Sequence, residues 1–177
     1  MLERMIRAAR LEVDLYEEVE ANPNLTQEAI LVVVVVTLAN LLGRLIQALF
    51  TPASFGGAII TGVWALIGFF IWAWIAYFVG TRLFGGTADY GELIRTLGYA
   101  YTPNILGVFA FIPCLGAIVG LIGSIWALVA MVVAIRQALD FDTTRAIFTV
   151  IVGFFVYLFG LMLLAMLVGI PAMLLAS

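Results

Sequence analysis

The charge that stands out in this sequence is Arg44, an arginine well inside a long apolar stretch. Polar side chains accompany it at helical steps of three and four residues, namely Thr37, Asn40, Gln47 and Thr51. A cation in hydrocarbon costs about 2.5–3.5 kcal/mol on insertion scales, so a functional role is the default hypothesis. All eleven acidic residues lie in predicted cytoplasmic segments. The partner of the Arg44 guanidinium would therefore be a bound anion, a lipid phosphate or helix-end carbonyls. The alternative is that the long side chain snorkels to the membrane surface.

A second polar cluster interrupts a later apolar stretch and contains Tyr99, Tyr101, Pro103 and Asn104. Proline removes a backbone hydrogen bond and kinks or breaks a helix. Broken helices can line binding sites, although a proline can also simply shape a bend. We predict a polar ligand or lipid site from seven residues, which are Asn40, Arg44, Gln47, Tyr99, Tyr101, Pro103 and Asn104.

Few residues are available for catalysis or metal binding. The chain has no histidine and a single cysteine, Cys114, so a histidine-cysteine metal site, a serine-histidine triad and an internal disulfide are all excluded. Asp140-Phe141-Asp142 superficially resembles a divalent-cation site, but a helix start at Asp142 or Thr143 is a simpler interpretation. We therefore expect no catalytic residue, no metal and no cofactor.

The composition indicates a membrane protein. Of the 177 residues, 65% are hydrophobic and 11% are charged, against about 25% charged in soluble proteins. A net charge of -3 without a basic stripe excludes nucleic acid as a partner. The natural partner of this surface is the lipid bilayer, with other membrane proteins or anionic lipid as further candidates.

Five apolar segments predict an all-α transmembrane bundle of five spans. About 20 apolar residues cross the hydrocarbon of a bilayer, and the predicted spans are residues 29–50, 58–80, 93–112, 115–135 and 147–170. The third span is weaker, and it crosses fully or forms half of a re-entrant hairpin. Residues 25–177 thus form the transmembrane domain, preceded by a cytoplasmic helix and linker in residues 1–24.

The arginines predict the orientation, because short cytoplasmic segments retain positive charge. Arg4, Arg7 and Arg10 precede the first span, and the remaining arginines other than Arg44 flank the links between spans two and three and between spans four and five. The N-terminus is therefore expected in the cytoplasm and the C-terminus outside.

Small residues recur at helical spacing in the last two spans. Gly116, Gly120 and Ser124 are four apart, and Gly153 and Gly160 are seven apart. Such faces allow two helices to approach closely. We predict helix packing there, either within one chain or in a homo-oligomer.

Residues 1 to 21 predict one amphipathic helix, with an apolar stripe that includes Leu2, Met5, Ile6 and Tyr16. The helix lies on the membrane surface, or it packs on the chain's own cytoplasmic segments. Asn22-Pro23 ends it, and Asn24 with Gln27 is expected to cap the first span.

Two stretches resemble the Yip1 family of five-span membrane proteins, in its prokaryotic branch. One runs from Thr87-Ala88-Asp89-Tyr90-Gly91-Glu92 into Gly98-Tyr99-Ala100-Tyr101-Thr102-Pro103, and the other runs from Arg136 to Thr144-Arg145-Ala146. Asp14-Leu15-Tyr16 is similar to the start of an Asp-Leu-Tyr-Gly-Pro motif of eukaryotic members, but Glu17 and Glu18 replace Gly-Pro. Those members are linked to vesicle traffic and prenylated GTPases, and the departure argues against that role here. The resemblance to the prokaryotic branch implies a multi-pass protein in the plasma or inner membrane of a prokaryote.

Three functions are compatible with these features. The first is a non-enzymatic membrane organiser or adaptor that binds proteins or lipids through the surface helix. The second is a small transporter, channel or lipid-translocating protein, in which the Arg44 stripe and the Pro103 break face each other across a polar cavity. The third, a membrane enzyme with carboxylates at the cytoplasmic face, has no supporting spacing.

Overall fold

The computed structural model describes residues 1–50 and 55–175, and the side chains of 1–50 and 55–166. The α-helices are α1 (Leu2–Ala9), α2 (Val13–Glu20), α3 (Thr26–Ala48), α4 (Phe55–Leu83), α5 (Tyr90–Ala100), α6 (Leu115–Ala138) and α7 (Thr143–Leu175). Two 3₁₀ helices, Pro23–Leu25 and Thr102–Phe111, lie before α3 and after α5. The described residues contain no strand, which confirms the all-α class.

Four helical segments of the described chain are long and apolar enough to cross a membrane. They are Pro23–Ala48, Phe55–Leu83, Leu115–Ala138 and Thr143–Met166. These segments cover the predicted spans one, two, four and five, with ends that differ by several residues. The structure thus supports a protein with several membrane-crossing helices.

The predicted third span is built differently, because its helix changes type at Tyr101. The α5 helix ends at Ala100, and Thr102–Phe111 continues as a 3₁₀ helix. Pro103 has no N–H to donate to the carbonyl of Tyr99 four residues earlier, and the Thr102 hydroxyl donates to that carbonyl instead, at 2.7 Å. The local chemistry of proline and threonine therefore accounts for the end of α5 and the start of the 3₁₀ helix.

This 3₁₀ helix packs between α3 and α6. It runs in the same direction as α3, since Gly98 lies against Ala29 and Val108 lies against Gly43. A Cβ atom on Gly43 would collide with the backbone of Val108, so only glycine permits this approach. The 3₁₀ helix, α6, α7, α4 and α3 each contact the next in turn, and α3 closes the ring by contacting the 3₁₀ helix.

The prediction of one helix over residues 1 to 21 is wrong. The chain turns between α1 and α2, where Leu11 has a φ of 60°. The turn folds α2 back, so that apolar residues of both helices are buried against α5 and α6 (Met5, Ala8, Leu15, Tyr16 and Val19). Burial of each large side chain of this type contributes about 1.5–3 kcal/mol, which a straight helix could not have gained from the same surface.

The helix starts test two capping predictions. The Asn24 cap is wrong, because α3 begins at Thr26 and Asn22 instead accepts a hydrogen bond from the Asn24 N–H, at 3.1 Å. The Asp142 cap is confirmed, since the Arg145 N–H donates to Asp142 Oδ1 at 2.9 Å. This contact uses one carboxylate oxygen of the Asp140-Phe141-Asp142 segment for helix capping.

Candidate functional site

Arg95 joins the N-terminal helices to the membrane-crossing part of the chain. Its side chain is only 5% exposed and lies at the C-terminal end of α2. The guanidinium donates to the carbonyls of Val19, at 2.9 Å, and Glu20, at 3.2 Å from Nε. The last carbonyls of a helix lack partners within the helix and carry partial negative charge, so a buried cation satisfies and stabilises them.

Glu28, in the first turn of α3, forms a second junction. Its carboxylate accepts a hydrogen bond from the Tyr99 hydroxyl, at 2.6 Å, and pairs with the Arg4 guanidinium at 3.0 Å. Tyr99 is fully buried and Arg4 comes from α1, so one acidic group connects α1, α3 and α5. Charge-assisted hydrogen bonds of this kind are about twice as strong as neutral ones.

Ion pairs also join α1 to α2. Glu18 accepts hydrogen bonds from Arg4, at 3.0 Å, and from Arg7, at 2.7 Å. These bonds hold the pKa of the Glu18 carboxyl below its usual value, and the same bonds raise the pKa of both guanidinium groups. The pair of helices is thus fixed to itself as well as to the bundle.

Two contacts attach the pair to α6. The Trp126 indole donates to the carbonyl of Ala9 at 2.7 Å, and the Gln137 amide donates to Glu17 at 3.0 Å. The N-terminal pair therefore packs on the chain's own helices, which is the second of the two arrangements that the amphipathic pattern allowed.

A polar cavity of about 320 Å³ lies at the other end of the bundle, between α3, α4, the 3₁₀ helix and α6. Its lining includes four members of the candidate site, Asn40, Arg44, Tyr101 and Asn104. The Asn40 side chain donates to the carbonyl of Asn104 at 3.0 Å, which ties α3 to the 3₁₀ helix. The two polar clusters of the sequence therefore meet at one cavity.

The Thr37 hydroxyl also lines this cavity and has an unsatisfied polar atom. Thr37 is 5% exposed, and its Oγ1 has no hydrogen-bond partner among the described residues. The Tyr101 hydroxyl is a neighbour of this atom, but it does not meet the geometry of a hydrogen bond to it. A buried hydroxyl without a partner is costly, and in native proteins it calls for a specific explanation.

The remaining members of the candidate site lie elsewhere. Tyr99 turns toward Glu28, Pro103 packs with its carbonyl against Gly123, and Gln47 is not among the lining residues. Thr51, the last residue of the polar stripe, lies outside the described residues. Arg44 is an exposed residue one turn before the end of α3, and it also lines the cavity.

The small residues divide between packing and cavity lining. Gly116, Gly120 and Ser124 all line the cavity, and Gly116 also lies against the backbone of Phe109 and Ala110. A Cβ on Gly120 or Gly160 would meet no atom within 4 Å, whereas Gly153 lies against Trp72. The sequence spacing alone did not separate these environments.

The family comparison covers most of the chain. The family model described as the Yip1 domain matches residues 13–167. The chain belongs to the Yip1 family. No curated protein and no solved structure matches it. The Yip1 domain begins here at Val13, the first residue of α2, and the Asp14-Leu15-Tyr16 segment contributes two fully buried side chains, Leu15 and Tyr16.

Arg95 and Glu28 were not recognised as site residues from the sequence, in which they read as ordinary flanking charges. The Yip1 domain match includes both. The available signal was position, since Glu28 directly precedes the first predicted span and Arg95 lies near the start of the third. Yip1 proteins are membrane proteins that are not known as enzymes, and the part of this chain that the structure describes has no cluster of three acidic or cysteine ligands for a metal.

Proposed function

We propose that this Yip1-family protein is a non-enzymatic membrane organiser, which presents its N-terminal helix pair as a rigid docking platform for partner proteins. The observation that carries the proposal is the number of independent attachments between α1–α2 and the bundle. Arg95, Glu28, Trp126 and Gln137 each contribute one, from three different helices. A segment held in this way is preorganised, so a partner would lose less conformational entropy on binding.

The proposed topology has five spans, with the N-terminus in the cytoplasm and the C-terminus outside, in the cell membrane. Eleven residues of α5 and ten residues of the 3₁₀ helix correspond to about 16 Å and about 20 Å of rise. Their sum exceeds the ~30 Å of hydrocarbon that a span must cross. The parallel course of the 3₁₀ helix beside α3 supports a full crossing.

The exposed face of α1 is the surface proposed for partners. Leu2 is 69% exposed and Ile6 is 46% exposed, one turn apart on the side of α1 that faces away from the bundle. Exposed aliphatic residues next to charged ones are typical of surfaces that bind proteins or lipid headgroup regions. Met5 is buried, so Leu2 and Ile6 are the large apolar residues of α1 that are available for such a contact.

Site-specific photocrosslinking at Ile6 in native membranes tests this function. We expect a stoichiometric protein adduct at Ile6, which is lost when Leu2→Ser is added and when the cytosolic side is treated with protease before irradiation. Leu83 is the matched control, because it is an exposed leucine at the end of α4. Adducts with lipid alone, or equal protein adducts at Ile6 and Leu83, would contradict a docking platform.

A further inference from the structure

A larger apolar cavity lies next to the polar one. The second cavity has a volume of about 690 Å³ and lies between α4, α6 and α7. Thr61, Ala65 and Tyr101 line both cavities, so the two are adjacent across these side chains. The rest of the second lining is aromatic or aliphatic, with Trp72 and Met131 as examples.

The apolar cavity is accessible from the side of the bundle. Leu128 and Phe154 belong to its lining and are 50% and 51% exposed. Both residues lie in helices that are long and apolar enough to cross a membrane, so this opening faces hydrocarbon in a bilayer. An acyl chain can enter from that direction without passing through water.

The polar cavity has the charge and the donors that suit an anion. The cations in the ion pairs of the described residues are the Met1 ammonium, Arg4, Arg7 and Arg145, and none of these pairs involves Arg44. The lining contains no carboxylate, and the buried Thr37 hydroxyl is available as a donor. A quaternary or primary ammonium group would find no negative partner there, whereas a phosphate would find a guanidinium and a hydroxyl.

Gly120 keeps the polar cavity open. A side chain at this position would meet no atom within 4 Å, because the space beside it is cavity. Gly116, one turn earlier, has its Cβ position filled by the backbone of Phe109 and Ala110. Gly120 therefore borders the open part of the cavity, whereas Gly116 borders packed backbone.

We propose that the two cavities together bind one anionic phospholipid, with its phosphate beside Arg44 and Thr37 and one acyl chain in the apolar cavity. The adjacency of the cavities favours a lipid over a free anion, since a free anion would leave the apolar cavity empty. Bilayer tails are as apolar as the cavity wall, so the acyl chain gains little on entry and the headgroup must provide the selectivity. The site is separate from the N-terminal platform, and its failure would leave the proposed function standing.

Native mass spectrometry of the full chain tests the proposal. The protein is purified in mild detergent and equilibrated with equal amounts of phosphatidylglycerol and phosphatidylcholine that carry the same acyl chains. We expect a single retained phosphatidylglycerol on the unaltered chain. Arg44→Gln should lower the ratio of bound phosphatidylglycerol to phosphatidylcholine by at least about tenfold, because it removes a charge-assisted contact to the phosphate.

Two matched controls separate the site from general effects. Arg82→Gln removes an exposed arginine at the end of α4 and should leave the ratio unchanged. Gly120→Leu should abolish lipid retention by filling the polar cavity, whereas Gly160→Leu, whose Cβ position is equally open, should not. Circular dichroism of each variant verifies that the helices are intact.

Three results would overturn the proposal. They are equal retention of the two lipids on the unaltered chain, a ratio that Arg44→Gln leaves unchanged, and retention that survives Gly120→Leu in a folded protein. Inorganic phosphate supplies the remaining arm, since displacement of the lipid by inorganic phosphate alone would assign the site to a free anion instead.

Discussion

The two ends of the bundle satisfy their polar groups in opposite ways. At the end that holds α1 and α2, the buried Arg95 donates to helix-end carbonyls, and Glu28 has both Tyr99 and Arg4 as partners. At the far end, no described carboxylate pairs with Arg44, and the buried Thr37 Oγ1 has no partner within the described chain. The first arrangement is that of a completed structural core, and the second leaves a buried hydroxyl unsatisfied beside the proposed lipid site.

The end that holds α1 and α2 is also packed more tightly than the far end. Large side chains that are fully buried, among them Leu15, Tyr16, Leu93 and Leu139, belong to the core beside the N-terminal helices. The far end contains the two cavities, and the lipid-facing residues Phe154 and Phe155 of α7 are exposed there. Substitutions should therefore affect folding at one end and ligand binding at the other.

Arg95→Leu should reduce the difference between the two ends most strongly. It leaves buried polar groups without partners at the end that holds α1 and α2, which we call the closed end. The change orphans the carbonyls of Val19 and Glu20, at about 1–3 kcal/mol for each buried group. Hydrogen exchange measured by mass spectrometry should show loss of protection throughout α1 and α2. Exchange in α6 at the level of Gly120 should stay unchanged.

Arg82→Leu is the control for this experiment, because Arg82 is an exposed arginine with the same hydrophobic replacement. Its α1 and α2 amides should exchange at the rate of the unaltered chain. Retained protection of α2 in Arg95→Leu would mean that the guanidinium does not hold the helix pair, and the proposed platform would lose its main support.

Gly116→Ala and Gly120→Ala compare a tightly packed position with an open one within α6. A Cβ at Gly116 would lie 2.6 Å from the carbonyl oxygen of Phe109 and 2.9 Å from the Cα of Ala110, both of which are backbone atoms. Such overpacking costs about 1–3 kcal/mol, so the apparent melting temperature in detergent should fall for Gly116→Ala. Gly120→Ala should leave it nearly unchanged, and equal losses for the two variants would contradict an open cavity at Gly120.

The sequence predicted the four long apolar helices, because hydropathy over 20 residues is a strong signal that does not depend on tertiary contacts. It also showed two polar clusters through local spacing, and Asn40, Arg44, Tyr101 and Asn104 from these clusters line one cavity. The turn at Leu11 was missed, because it depends on burying α2 against α5 and α6. The partners of Arg95 and Glu28 were missed for a related reason, as they lie far away in the sequence.

Helix packing by small residues shows the same limit. The spacing of Gly116, Gly120 and Ser124 is that of a close-packing face, and it does not reveal which turn contacts a neighbour. Gly43, Gly98 and Gly123 make close approaches to other segments without belonging to the predicted pattern. Only the position of the 3₁₀ helix between α3 and α6 determines which glycines are in contact and which leave a void.

Tyr99→Phe should weaken the closed end by a smaller amount. The change removes a 2.6 Å hydrogen bond to Glu28, and Arg4 still pairs with that carboxylate. A loss of about 1.5 kcal/mol in the free energy that keeps α1 and α2 docked is expected from a single bond to a charged group. Hydrogen exchange of α1 gives the measurement.

Tyr90→Phe is the matched control for this variant, because its hydroxyl donates to the neutral carbonyl of Phe70 at 3.2 Å. It should accelerate exchange in α1 less than Tyr99→Phe does. Equal effects of the two variants would show that the bond to the Glu28 carboxylate has no special role in docking α1.

The smallest expected effect is a pH dependence of docking at the closed end, and it has a defined sign. Burial, together with the nearby Glu92 and Asp140, raises the pKa of Glu20 to about 7, and Arg95 opposes this rise only in part. The docked state therefore holds a proton that the undocked state, with its ordinary pKa of 4.5, has already released. Docking is most stable below the ordinary value, weakens as the pH rises toward 7, and is constant above it.

Glu20→Gln should abolish this dependence, because the amide does not titrate. Protection of α2 against hydrogen exchange, corrected for the intrinsic rate, should fall between about pH 5 and about pH 8 in the unaltered chain and stay level in the variant. Glu20 is half-buried, so solvent screening keeps the change below about 1 kcal/mol. Protection that rises with pH would reverse the sign and would place the Glu20 carboxylate nearer to Arg95 than to the acidic groups of α5 and the α6–α7 link.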